Sequence, residues 1–150
     1  MANVKYGPAD SGRTISVILL PYAGTAPAQH AEMARILLVD DDPSIRTVVS
    51  LMLQRAGHCV TVASNGKESV ALAEDQAPEL VLSDLCMPEI TGDEVLRAIK
   101  RIAPCAICIL MTGDADQSTE FPDLDAQFLK KPFSMVTLIQ TVESALCAAK

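Results

Sequence analysis

The sequence lacks the features that mark several large classes of protein. It has no Trp, and aromatic residues make up only 3% of its 150 residues, so its interior must be aliphatic. Its net charge of −7 at pH 7 argues against direct binding of nucleic acid, which needs a basic surface. No apolar run reaches the ~18–20 residues that span a bilayer. Hydrophobic residues still make up 49% of the chain, which is enough for the core of an ordinary domain.

Histidine and cysteine offer little for metal or redox chemistry. His30 and His58 are the only two histidines, so no site built on several histidines is predicted. The five cysteines are odd in number and lack the spacing of a disulfide scaffold, which favours reduced thiols in the cytoplasm. Cys105 and Cys108 match C-x-x-C formally, but residues three apart on a strand point to opposite faces. We therefore interpret Cys105 and Cys108 as small buried core residues.

The first 32 residues differ in composition from the rest of the chain. Gly and Pro punctuate them, which predicts a disordered N-terminal extension over 1–32 and one domain over 33–150. A secretory signal fits poorly, because the only apolar piece, residues 15–20, is too short and Asp10 precedes it. Met33 is an alternative natural start, since it leads straight into the first predicted strand.

From Arg35 onward the pattern alternates between strands and helices. Short apolar runs predict strands at 36–39, 59–63, 80–83, 106–111 and 127–130. Helices are predicted from Pro43 to Gly57, from about 66 to 74, over 92–102 and from about Ser134. Their inward-facing residues are expected to be Ile45, Val48, Val49, Met52 and Leu53, then Val95, Leu96, Ile99 and Ile102, and finally Met135, Leu138, Ile139, Val142 and Leu146. A further helix, between the fourth and fifth strands, falls in an acidic stretch of poor propensity over 114–126, where we expect it to be short or irregular. Five β-α units predict an α/β domain, a parallel sheet with helices on both faces.

Polar residues follow four of these strands. Asp40 and Asp41 come after the first, Asp84 after the third, Thr112 after the fourth and Lys131 after the fifth. Since the carboxyl ends of parallel strands share one edge, where such folds bind ligands, these groups should converge. Each has a plainer interpretation when taken alone: the acids as helix caps, Thr112 as a cap and Lys131 as a solvated surface residue.

Four motifs in fixed order support a more specific interpretation. They are Val39-Asp40-Asp41, Asp84 with Met87-Pro88 and Gly92, Met111-Thr112-Gly113, and Lys131-Pro132-Phe133. From about residue 35 to 148 the chain resembles the receiver domain of two-component response regulators, in the stand-alone form similar to the chemotaxis response regulator. The resemblance implies a flavodoxin-like, doubly wound five-stranded sheet of order 2-1-3-4-5. It also implies a cis Lys131–Pro132 bond.

The resemblance assigns roles to the residues at the sheet edge. Asp84 would accept a phosphoryl group from a histidine kinase or a histidine phosphotransfer protein, and Lys131 and Thr112 would contact its oxygens. The implied metal ligands are Asp40, Asp41, Asp84 and the backbone carbonyl of Cys86, with Mg²⁺ as the ion and Mn²⁺ as a substitute. The chemistry agrees, because a carboxylate can form an acyl phosphate and Mg²⁺ prefers oxygen ligands. Three neighbouring acids would repel one another without a cation.

The same resemblance predicts a conformational switch. Thr112 would move toward the phosphoryl group, and Phe128, at the aromatic switch position, would rotate inward. One departure is that Thr112 and Lys131 stand 19 positions apart, about three fewer than is usual in the family. The shortening falls in 114–126 and weakens the case for the usual dimer face, so we expect a monomer or a weak dimer.

Three functions remain open at this stage. The favoured one is a single-domain cytoplasmic response regulator that is not an enzyme beyond its own phosphorylation and dephosphorylation, and that controls an unknown downstream protein or relays phosphate. An alternative is a non-phosphorylated receiver-like scaffold or adaptor, which the complete set of polar residues disfavours. A hydrolase or phosphotransferase would need a second acid two residues after Asp84, where Cys86 stands.

Overall fold

The computed structural model describes residues 33–113 and 121–149. Five strands lie in these ranges, namely β1 (Arg35–Val39), β2 (Cys59–Ala63), β3 (Leu80–Asp84), β4 (Ile107–Thr112) and β5 (Ala126–Lys130). The helices of the same ranges are α1 (Pro43–Arg55), α2 (Gly66–Gln76), α3 (Gly92–Ile102) and α4 (Met135–Ala148). All neighbouring strands pair in parallel, in the order β2-β1-β3-β4-β5. The predicted flavodoxin-like sheet and its strand order are therefore confirmed.

Two of the predictions concern parts of the chain that are not described. The N-terminal extension over 1–32 lies outside the described residues, so its boundary with the domain stays a prediction. The helix predicted within 114–126 falls partly on residues 114–120, which also lie outside them. Residues 121–125 form a turn and irregular backbone that lead into β5.

The side chains of the sheet alternate between two aliphatic cores. On one face, Leu38 of β1 and Leu82 of β3 pack with Val49 of α1 and Leu138 of α4. On the other face, residues one position along each strand, such as Leu37 of β1, pack against α2 and α3. The three inner strands β1, β3 and β4 are buried on both faces, which explains their continuous apolar runs, whereas the edge strands β2 and β5 expose some positions. Both layers of the core are formed mainly by aliphatic side chains, as expected for a chain without Trp.

Short polar caps define where the helices begin. Asp42 accepts a hydrogen bond from the Ser44 backbone N–H at 2.8 Å, as expected for the residue before Pro43. Asn65 and Ser134 play the same role for α2 and α4. Gly57 has φ of +96°, the left-handed conformation that suits glycine just after a helix. The predicted helix starts are confirmed, while α2 extends two residues beyond its predicted end.

Three apolar side chains predicted to face the core lie at the surface instead. Val48 is 50% exposed, Met135 is 40% exposed and Ile102 is 36% exposed. Val48 lies at the margin of its apolar stripe, and Met135 and Ile102 lie at helix ends. An apolar stripe read from spacing is therefore wider than the surface available to cover it.

The interpretation of Cys105 and Cys108 as buried core residues is confirmed for Cys108 and wrong for Cys105. Cys108, on β4, is buried, but the other four thiols are exposed: Cys59, Cys86, Cys105 and Cys147. Cys105 lies in the loop before β4, so it is no strand neighbour of Cys108. All five thiols are free. Burial raises the pKa of the Cys108 thiol to about 11, which leaves it inert at neutral pH.

Within the described residues, no helix has both the length and the apolar character needed to cross a bilayer.

Candidate functional site

Three charged side chains meet at the carboxyl edge of the sheet. Asp40 follows β1, Asp84 ends β3 and Lys131 follows β5. By strand alternation all three share the parity of the residues that face α1 and α4, so they project to the same side of the sheet. The parallel register thus brings together residues that are up to 91 positions apart in the chain.

Lys131 links the two buried acids. Its Nζ donates to Asp84 Oδ1 at 3.0 Å and to Asp40 Oδ2 at 3.4 Å. Asp40 is fully buried, Asp84 is nearly so and Lys131 is partly buried. A cation is needed here, because two buried carboxylates at close range destabilise each other's ionised forms.

The pKa values reflect this competition. Burial raises the pKa of Asp40, and the neighbouring Asp84 adds to the rise, against the Asp42 backbone hydrogen bond and the Lys131 charge. Burial alone would lower the pKa of Lys131, but its hydrogen bond to Asp84 and the charges of Asp84 and Asp40 together raise it. The ammonium therefore stays protonated, and a second cation close to Asp40 would favour the ionised form of that carboxyl.

A divalent ion fits the same acids. One carboxylate oxygen from each of Asp40, Asp41 and Asp84 lies within 4.8 Å of the other two. Asp41 is exposed, so the cluster opens to solvent on one side. An all-oxygen donor set that is open to water suits Mg²⁺, which keeps several of its own waters. Cys86 lies on the exposed loop after β3, and the role of its carbonyl as a further ligand stays a prediction.

By strand alternation, Thr112 and Phe128 share the parity of the residues that face α2 and α3, and Thr112 ends β4 at the same carboxyl edge as the acids. Thr112 is buried at the end of β4, and its carbonyl accepts from the Lys131 backbone N–H at 2.7 Å. Phe128 pairs in register with Leu110, two residues before Thr112, and packs half-buried against the α3-side core. Residues 110, 112 and 128 therefore share one face, where movement of Thr112 would alter the space beside the Phe128 ring.

The loop after Asp84 closes tightly over the end of β3. The Gly92 N–H donates to the Leu85 carbonyl at 2.9 Å. A Cβ at Gly92 would lie 2.2 Å from the backbone oxygen of Asp84, so only glycine fits this approach. Glu89, in the same loop, has φ of +70°. The Lys131–Pro132 peptide bond is cis, as the resemblance implied.

Arg46 is a residue of this site that sequence reasoning missed. Its Nη1 donates to the backbone carbonyl of Asp40 at 2.7 Å. No spacing rule identifies such a contact, because an arginine in the first turn of a helix is usually a solvated surface residue. The available signal was its place only five residues after Asp41.

A groove beside Lys131 adjoins the acid cluster. It encloses about 540 Å³ between α1 and the segment after β5. Its lining is mostly apolar and includes Val48, Met52, Pro132 and Phe133. The exposure of Val48, which the sequence did not predict, therefore belongs to a continuous apolar surface next to the charged site.

The structure is an α/β domain with a parallel sheet of this order, and its acid cluster and lysine lie at the carboxyl edge, where open sheets of this kind bind their ligands. The sequence profile described as "Response regulator receiver domain" matches residues 36–143. The chain therefore belongs to the response regulator receiver family, whose members are signalling domains.

Individual relatives agree with this assignment. The chain is 36% identical to the Protein PilH of Pseudomonas aeruginosa over 119 residues, which cover 76% of this chain and 98% of PilH. The structure of the chemotaxis protein CheY4 of Vibrio cholerae is similar, with a TM-score of 0.71 and 33% identity over 76% of this chain and 99% of CheY4.

A third relative bears on the metal. The receiver domain of sensor histidine kinase PA1611 from Pseudomonas aeruginosa has a TM-score of 0.68 and 29% identity, covering 77% of this chain and 99% of that one. Its structure has a magnesium ion coordinated in the active-site cleft. Receiver domains bind Mg²⁺ at an acidic pocket, and Asp40, Asp41 and Asp84 form a group of acids in the described part of this chain that could hold such an ion.

Proposed function

We propose that this chain is a phosphorylation-controlled signalling module whose Asp84 accepts a phosphoryl group from a histidine kinase or a histidine phosphotransfer protein. The observation that carries the proposal is the position of Asp84, which ends β3 with Lys131 Nζ at 3.0 Å and two further acids close by. The same chemistry would let the domain promote its own phosphorylation and dephosphorylation without acting on a separate substrate.

In the proposed reaction, a carboxylate oxygen of Asp84 attacks phosphorus. The new oxygen–phosphorus bond forms as the bond from phosphorus to the donor's imidazole nitrogen breaks, and the electron pair leaves with that nitrogen. Lys131 then pairs with the phosphoryl oxygens rather than with the bare carboxylate. Mg²⁺, held by Asp40, Asp41 and Asp84 with the Cys86 carbonyl as a further ligand, would neutralise charge that develops on these oxygens. Mn²⁺ would serve the same role.

The switch follows from the shared face of Thr112 and Phe128. The Thr112 hydroxyl donates to a phosphoryl oxygen, which draws the end of β4 toward the site. The half-buried Phe128 ring then turns into the space that Thr112 leaves, and the surface near β5 changes for a downstream partner. The five free thiols suit the reducing conditions of the cytoplasm, where we place this signalling.

The groove of Val48, Met52, Pro132 and Phe133 suits the phosphodonor protein. A donor must hold its phosphohistidine within bonding distance of Asp84, so it needs a contact surface beside Lys131. The groove lies there, and burial of its apolar lining against a helical partner would stabilise the complex.

The first experiment tests phosphorylation without any partner. The protein is incubated with Mg²⁺ and acetyl phosphate, and its intact mass is measured. We expect a gain of one phosphoryl group that is lost with chelator and in Asp84→Asn. Asp75→Asn, an exposed acid on α2, is the matched control and should be phosphorylated normally. If the mass does not increase with acetyl phosphate or with a phosphohistidine donor, the function as a non-phosphorylated scaffold is favoured.

A second experiment tests the donor surface. Val48→Asp should slow transfer from a phosphorylated histidine phosphotransfer protein at least tenfold, since it places a charge in the apolar contact. It should leave the acetyl phosphate reaction unchanged. Val62→Asp, another exposed valine but on β2, should change neither rate. Equal effects of the two substitutions would contradict the assignment of the groove.

A further inference from the structure

Arg46 makes one contact that acts directly on the geometry of the acid cluster. Its side chain is half-buried in the first turn of α1, and its Nη1 donates to the backbone oxygen of Asp40 at 2.7 Å. That oxygen belongs to the peptide group that joins Asp40 to Asp41. The guanidinium therefore holds the peptide group whose rotation sets the relative orientation of the Asp40 and Asp41 carboxylates.

The backbone on either side of this peptide is held by other contacts. The Asp40 N–H donates to the Ala63 carbonyl of β2 at 3.2 Å, and Asp40 Oδ1 accepts from the Asp42 N–H at 2.9 Å. Asp42 in turn caps α1. Asp41 is exposed, so packing does not set its direction, and its carboxylate points where its backbone directs it.

We infer that Arg46 is a positioning residue for cation binding, because it orients the Asp40–Asp41 peptide so that both carboxylates face one ion. This inference rests on the proposed function of the acid cluster as a Mg²⁺ site. It concerns a residue outside the proposed metal ligands and the proposed contacts of the phosphoryl group.

Because Arg46 is charged, the direction of the change in Mg²⁺ affinity on its removal tests the inference. A guanidinium near a cation site opposes cation binding by simple electrostatics, so its removal should tighten Mg²⁺ binding if charge is all that matters. Loss of an orienting hydrogen bond should weaken binding instead, as removal of outer-shell partners of metal ligands does. The two effects have opposite directions in the same variant.

The experiment is a Mg²⁺ titration by calorimetry, since the chain has no Trp whose fluorescence could report binding. We expect Arg46→Met to bind Mg²⁺ about tenfold more weakly than the wild type. Arg46→Lys keeps the charge and a hydrogen-bond donor, so its Mg²⁺ affinity should lie between those of Arg46→Met and the wild type. Arg55→Met removes the same charge from the last turn of α1, away from the site, and should bind as the wild type does. At saturating Mg²⁺, the acetyl phosphate rates of Arg46→Met and wild type should converge.

Unchanged or tighter Mg²⁺ binding by Arg46→Met would overturn the inference while leaving the proposed function intact, provided that the wild type binds the ion. Failure of the wild type itself to bind Mg²⁺ would overturn both. If Arg46→Met lacks the cooperative unfolding of the wild type, Arg46→Gln takes its place, with the same expected weakening. Unaltered binding by that folded variant would equally refute the role.

Discussion

Replacement of Gly92 by alanine should damage both the stability of the domain and its site. The added Cβ would lie 2.2 Å from the Asp84 oxygen and 2.9 Å from the Leu85 Cα, and neither backbone atom can rotate away. The loop must therefore move, and the hydrogen bond from Gly92 to Leu85 must stretch. Forced backbone shifts of this kind cost about 3 kcal/mol.

Urea unfolding followed by far-UV circular dichroism measures this cost. With a slope of about 1.5 kcal/mol per M, the midpoint should fall by about 2 M. The control is Gly113→Ala, since no atom of the described residues lies within 4 Å of a Cβ at that position, and its midpoint should stay close to that of the wild type. Because the clash moves the residue that carries the carboxylate, Gly92→Ala should also lose phosphorylation by acetyl phosphate. A midpoint within about 0.3 M of the wild type would refute the argument from close approach.

Three further predictions concern charge. Lys131→Met should lose about 2 kcal/mol of stability without Mg²⁺, because it leaves Asp40 and Asp84 without their cation, and saturating Mg²⁺ should restore most of the loss in thermal melts. Mg²⁺ at about 100 times its Kd should stabilise the wild type by about 2.7 kcal/mol, and Asp84→Asn by clearly less. Burial lowers the pKa of His58, against the charge of Glu143, so protonation favours the unfolded state and stability should fall as the pH drops from about 7 through the folded pKa.

The three assays have distinct failing outcomes. An unchanged melting temperature of metal-free Lys131→Met would show that the ion pairs add nothing to folding. Equal stabilisation of the wild type and Asp84→Asn by Mg²⁺ would show that Asp84 is not a ligand of the ion. The pH slope should flatten in His58→Gln, because the wild-type Nδ1 accepts from the Ala34 N–H and cannot do so once protonated. A slope equal to that of the wild type would exclude His58 as its source.

Sequence reasoning succeeded where one periodicity or one cap decides the local structure. Asp42 before Pro43 predicted the start of α1, and Gly57 predicted its end, because both act through the backbone of neighbouring residues. It failed at the margins of the apolar stripes. Val48 is exposed although its spacing is that of a core residue, because burial depends on which elements pack against α1, and Val48 lines an open groove.

The candidate site also has features that could be predicted from local sequence and features that could not. Acids and a lysine at the ends of buried strands predicted a shared edge, since parallel strands align their carboxyl ends. Contacts that depend on distance could not be predicted. The hydrogen bond from Arg46 to the Asp40 carbonyl and the pairing of Lys131 with both Asp40 and Asp84 arise only when separate loops are brought within hydrogen-bonding distance.

The sequence by itself determined the class of fold, the order of its elements and the residues that gather at the sheet edge, because periodicity, caps and strand ends are local properties of the chain. Only the tertiary structure decided which of these residues touch, which stripe residues face solvent, and that Gly92 must lack a side chain. Those outcomes depend on the register of β1, β3, β4 and β5 and on the packing of α1 and α4 over them, which no local pattern encodes.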